Sequence, residues 1–198
     1  MYGEKNPELI IAYDHLSEVL MGMGKVDEAM DYNKKARDVA VEFYGENHPA
    51  FAGLLLTLGK CYLYKGEPQK ALEYLNKGYE IMQRVYGDNN QEVADLLVMT
   101  AYAYFSIGDF EKSLEIEQKV LEIHVKIFGE NHRTTAYDYL FLANCYQGMS
   151  DFHNAMANAE KALEIYNNTL GPDHEETMTA KQTIEEIQKD KEKSGLRD

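Results

Sequence analysis

The chain has 198 residues, 44% of them hydrophobic, and a formal net charge of −14. That is enough apolar material for a continuous core, but no window approaches the 18 unbroken apolar residues of a membrane span. The N-terminus, MYGEKNPELI, lacks the basic start and apolar run of a secretory leader. No basic stripe is visible, which disfavours nucleic acid and anionic membrane surfaces as partners. Residues 43–84, with 4 acidic and 5 basic side chains, form the one near-neutral stretch.

Taken in chain order, the sequence repeats itself every 42 residues. Gly3-Glu4-Lys5-Asn6-Pro7 returns as Gly45-Glu46-Asn47-His48-Pro49, Gly87-Asp88-Asn89-Asn90-Gln91, Gly129-Glu130-Asn131-His132-Arg133 and Gly171-Pro172-Asp173-His174-Glu175. A second mark keeps the same phase: Gly24-Lys25, Gly66-Glu67, Gly108-Asp109 and Ser150-Asp151, each followed by Ala29, Ala71, Ser113 or Ala155. A fixed period of this length signals stacked supersecondary units.

The second period shows what one unit builds. Leu54, Leu55, Leu58, Cys61 and Tyr62 follow helical spacing after Pro49, and Gly66 ends that helix. Pro68 opens a second helix through Ala71, Leu72, Leu75, Tyr79 and Met82 to Tyr86, and Gly87 ends it. The links are short, so the pair folds back as an antiparallel hairpin. The spacing predicts hairpins over about 7–44, 49–86, 91–128 and 133–170, then a final helix over about 175–191, in one array spanning 1–192 with a frayed tail at 193–198. In the final helix Met178, Ile184 and Ile187 are expected to pack inward.

Columns taken at the same phase alternate in size. Leu16, Leu58, Thr100 and Leu142 are mostly large, and Ser17, Gly59, Ala101 and Ala143 are small. Leu20, Tyr62, Tyr104 and Tyr146 are large again, and Ala29, Ala71, Ser113 and Ala155 are small. Such alternation lets facing helices interlock. In the first hairpin Ile10, Tyr13 and Val19 have no upstream neighbour, and the expectation is either that the chain is an excerpt of a longer protein or that this face pairs with another copy.

Leu58-Gly59…Tyr62…Gly66…Ala71 resembles the tetratricopeptide repeat, and the 42-residue period with Gly-x-Asn-His-Pro between hairpins resembles the longer subclass typified by kinesin light chain. The resemblance implies an all-α, right-handed solenoid of antiparallel hairpins, four of them plus a C-terminal capping helix. It also implies a non-catalytic, cytoplasmic scaffold or adaptor that binds a protein or peptide in a concave groove. A structural spacer or oligomerisation segment without a groove ligand is the alternative. Carried over by phase, the groove residues are Asp14, Glu18 and Met21, then Leu56, Lys60 and Leu63, then Val98, Tyr102 and Phe105, then Leu140, Asn144 and Gln147. The paired asparagines of kinesin light chain are replaced here by Asp14-His15, Leu56-Thr57, Val98-Met99 and Leu140-Phe141, so that cargo groove is not carried over. The carboxylate clamp of chaperone-binding members is not reproduced either.

No constellation for chemistry stands out. His48, His132 and His174 sit one per turn, a repeat apart, and read as helix caps; no metal site or cofactor is expected. His15, His124 and His153 look isolated, and the carboxylates are expected on solvated helix faces. Cys61 and Cys145 lie 84 residues apart, two periods, which puts them beyond disulfide reach and makes them small buried thiols.

Overall fold

In a computed structural model, which describes residues 6–195, the described chain is helical without strands. The helices are α1 (Glu8–Gly22), α2 (Val26–Tyr44), α3 (Pro49–Tyr64), α4 (Pro68–Tyr86), α5 (Gln91–Ser106), α6 (Phe110–Phe128), α7 (Arg133–Gly148), α8 (Phe152–Thr169) and α9 (Glu175–Ser194). Gly3, the first glycine of the 42-residue series, lies outside the described residues. The chain divides into two compact units, one ending at Ala103 and one beginning at Tyr104.

The helix ends follow from local chemistry. At the turn inside each repeat, Gly24, Gly66 and Gly108 have φ of 75°, 71° and 79°, and Ser150 takes the same place at 61°. The left-handed residue lets the following amide reach back five residues: Lys25 N–H to Leu20, Glu67 to Tyr62, Asp109 to Tyr104 and Asp151 to Tyr146, at 2.9–3.0 Å. These bonds satisfy carbonyls that the helix end leaves open. Between repeats, His48 Nδ1 accepts from Ala50 N–H at 3.1 Å, His132 from Thr134 at 3.2 Å and His174 from Glu176 at 3.4 Å. Two of these rings also stack on the preceding helix end, His48 on Tyr44 and His132 on Phe128. The histidines are N-caps, as their spacing predicted.

In the first unit α1 pairs with α2 and α3 with α4, α2 packs on α3, and α1 lies beside α3. The small column lets helices approach: Ser17, Ala29, Ala71 and Gly59 are buried, and the Ser17 hydroxyl donates to the Ala29 carbonyl at 2.8 Å. A methyl group on Gly59 would stand 2.6 Å from Leu75 Cδ2. Leu54, Leu55, Leu58, Leu75 and Leu96 are at most 2% exposed. Each such side chain contributes about 1.5–3 kcal/mol relative to remaining in water.

The first hairpin differs from its copies. Ile10 is 6% exposed and faces the core; Ile11 and Val19 of α1 and Met23 just after it point outward, at 62%, 59% and 64%. Leu16, expected in the large core column, is 37% exposed as well. Val19 shares its register with Cys61, Ala103, Cys145 and Ile187, all fully buried.

In the second unit α6 packs on α7, α7 pairs with α8, and α9 covers α8 and touches α7. Two core clusters hold it: Ala136, Leu140, Ala162, Ile165, Tyr166 and Ala180, and Ala143, Phe152, Ala155, Ala159 and Ile187. Helix α9 runs to Ser194, beyond the expected 191, and ends on left-handed Gly195, with Lys191 and Lys193 in its last turn. Its inward face is Thr177, Ala180, Thr183 and Ile187; Met178, expected inside, is half exposed.

Candidate functional site

The groove positions expected from the repeat fall at three places on each of α1, α3, α5 and α7. In the first unit they stay at the surface or half-buried. On α1, Asp14 is half-buried, with one carboxyl oxygen unpartnered and a side-chain hydrogen bond to Thr57; burial raises its pKa. Glu18 is exposed and 3.9 Å from Lys60 of α3, a partly solvated pair worth about 0–1 kcal/mol. Met21 packs on the core cluster of Leu20, Ala29 and Cys61. Leu56 and Leu63 of α3 and Val98 of α5 are half-buried, and Tyr102 of α5 is 47% exposed.

The second-unit positions are largely used by the fold itself. Phe105 rests against Phe110 and Phe141, with ring centroids 5.2 and 5.4 Å away. Leu140 is 7% exposed and belongs to the core, so it does not line a groove. The α7 helix turns that position toward α8 and α9, which bury it. Asn144 is half-buried, and the Gln147 amide donates to Asp190 of α9 at 2.9 Å. Among the apolar and tyrosine positions of the expected groove, Tyr102 is exposed, Met21, Leu56, Leu63, Val98 and Phe105 are half-buried, and Leu140 is buried.

The cysteines are free and buried, and burial pushes both thiols up to about 11. Cys61 Sγ lies 4.0 Å from Met21 Sδ, and Cys145 Sγ 3.3 Å from the Ser113 hydroxyl. A thiol held protonated in apolar surroundings is a poor nucleophile. Among the described residues no group of three or more His, Cys, Asp or Glu side chains is placed to hold a metal ion.

One polar cluster contradicts the expectation of solvated carboxylates and an isolated His124. Glu117, His124 and Asp138 are 1%, 3% and 1% exposed, and His124 Nδ1 stands 2.8 Å from Asp138 Oδ2. The signal was present in the repeat: these residues occupy the phase of Leu75, Met82 and Leu96. Helical spacing alone places them on a face; the 42-residue comparison is what marks that face as core.

Comparisons with known proteins agree with this geometry. The tetratricopeptide-repeat family model matches residues 8–84, 51–124 and 92–168. The structure is similar to kinesin-light-chain-type repeats of Podosopora anserina, with 19% identity, a TM-score of 0.82, and 95% of this chain and 89% of that one covered. It is similar to BtubC (BKLC) of P. vanneervenii, with 20% identity, a TM-score of 0.82, and coverage of 93% and 73%. It is also similar to a Rap protein solved with competence and sporulation factor, with 16% identity, a TM-score of 0.73, and coverage of 94% and 50%. A comparison with curated protein sequences found no match. With 42-residue hairpins capped by in-phase histidines and a family model matching most of its length, the chain belongs to the tetratricopeptide repeat family.

Proposed function

We propose that the chain is a non-catalytic protein-interaction scaffold that holds a hydrophobic peptide or amphipathic helix of a partner on the odd-helix face of its first unit. The observation that carries this reading is Tyr102, 47% exposed on a rigid helix, at the same register as Lys60 and flanked along α5 by half-buried Val98. Leu56 and Leu63 offer apolar surface at the equivalent positions of α3. A tyrosine on a fixed backbone gives large contact area at small entropic cost, which is the character of binding hot spots. The Rap relative, solved with competence and sporulation factor, supports use of this fold for binding. Two buried free thiols suit a reducing compartment such as the cytoplasm.

A display library of amphipathic peptides, followed by fluorescence anisotropy on the hits, tests the reading. Tyr102→Ala should weaken binding about tenfold or more while leaving the circular dichroism spectrum unchanged. Hits that bind Tyr102→Ala and Leu63→Glu as tightly as the original chain would remove the site.

The alternative of an oligomerisation segment draws on exposed Ile11 and Val19 of α1 and Met23 just after it. Sedimentation equilibrium distinguishes it: association abolished by Val19→Glu supports that use, and a monomer at every concentration rejects it.

A further inference from the structure

The α6–α7 seam departs from the chemistry of its copies. Glu117 stands where the other repeats have Asn33, Leu75 and Ala159. Asp138 stands where they have Leu54, Leu96 and Ala180, and His124 where they have Ala40, Met82 and Tyr166. The first unit shows how a neutral polar group fits the same place: the Asn33 amide donates to the Leu54 carbonyl at 2.9 Å, and Arg37 donates to Asn33 Oδ1 at 3.0 Å. In the second unit two carboxyls and an imidazole are enclosed instead. Glu117 Oε1, Asp138 Oδ1 and His124 Nε2 are all buried without a hydrogen-bond partner among the described residues.

We propose that the α6–α7 seam is a proton-operated latch, closed when the Glu117–Asp138 pair holds a proton and loosened when both carboxyls are ionised. Two buried carboxylates cannot both ionise cheaply; one proton removes a charge and their repulsion. The groups around the pair leave this balance in place. From α7, the Cys145 thiol faces Glu117 and stays neutral, pushed to about 11. From α6, His124 contacts Asp138. From α8, the Tyr166 phenol lies near Asp138 and is held protonated by burial, with Tyr137, Arg133 and Glu176 around it. Arg133 and Glu176 pair with each other.

The direction in pH follows from the sign of each shift. Burial, and then the Asp138 charge, raises the Glu117 carboxyl well above its ordinary 4.5. Burial raises Asp138 above its ordinary 3.8, against the opposing effect of His124. The folded chain thus holds protons that the unfolded chain releases. The stability from these groups is fully present below those ordinary values and is lost as the pH rises through their raised folded values.

Thermal melts between pH 5 and pH 8, with hydrogen exchange along α6 and α7, test the latch. The original chain carries a net charge of −14 and the variants differ from it by one or two charges, so all share nearly the same background slope and the comparison is between proteins. Over that range the original chain should lose on the order of 5 °C more in Tm than Glu117→Gln, which should be the more stable of the two at pH 8. The triple variant Glu117→Leu, His124→Met, Asp138→Leu rewrites the seam with the residues of Leu75, Met82 and Leu96, and should follow the shallower slope. Exchange in α6 and α7, corrected for intrinsic rates, should slow on acidification in the original chain alone. Parallel melts for the original chain and Glu117→Gln, a triple variant as steep as the original, or a Glu117→Gln protein no more stable at pH 8, would overturn the latch.

Discussion

Replacing Gly59 by alanine tests the close approach of α3 and α4. The added Cβ would stand 2.6 Å from Leu75 Cδ2, 2.7 Å from Cγ and 3.4 Å from Cδ1. Carbon pairs rest at about 3.5–4.0 Å, so the overlap is roughly 1 Å and includes the branch carbon as well as a methyl tip. Leu75 is 0% exposed, enclosed by its neighbours on every side. Overpacking of this kind costs about 1–3 kcal/mol. Against it stands the helix-propensity gain of Gly→Ala, about 1 kcal/mol. The net expectation is a loss of about 0–2 kcal/mol. Gly53, in the same helix, supplies the control, because a Cβ there meets nothing within 4 Å. Gly53→Ala should gain about 0.5–1 kcal/mol. Urea unfolding followed by circular dichroism should thus separate the two variants by about 1–3 kcal/mol. The clash also predicts coupling: Leu75→Ala should cost less in the Gly59→Ala background than alone. If Gly59→Ala matches Gly53→Ala in stability, the helices are not in van der Waals contact there and the packing argument fails.

Two further tests address single positions. Ser150 occupies the left-handed turn at φ 61° where the other repeats use glycine, a conformation that costs an L-residue about 1–2 kcal/mol. Ser150→Gly should raise stability by about 1 kcal/mol, and a lower Tm would contradict this. Cys61 and Cys145, with thiols near 11, should react negligibly with a disulfide reagent at pH 8 until urea unfolds the chain. Rapid native labelling would show that the seams around them open.

Much of the fold was legible because its stops and starts are local. A glycine that can take positive φ, a histidine ring that accepts from the amide two residues on, and a proline in the first helical turn act within a few residues of themselves. The binding surface was only partly legible. Tyr102 and Asn144 share a register, yet Tyr102 is exposed and Asn144 half-buried; Val98 and Leu140 share another, yet Val98 is half-buried and Leu140 buried. Equal phase fixes the direction of a side chain from its own helix axis; whether another helix lies in that direction depends on residues far along the chain.

The 42-residue beat by itself determined the helix pairs, the small residues at their contacts and the capping role of His48, His132 and His174, since each rests on backbone geometry or residue size at fixed spacing. Only the tertiary structure decided that Ile10 faces in while Ile11 and Val19 face out, that Leu140 is core, and that Glu117, His124 and Asp138 meet away from water. Burial is a property of neighbours, and a carboxylate on a helix reads as solvated until the helix packed over it is known.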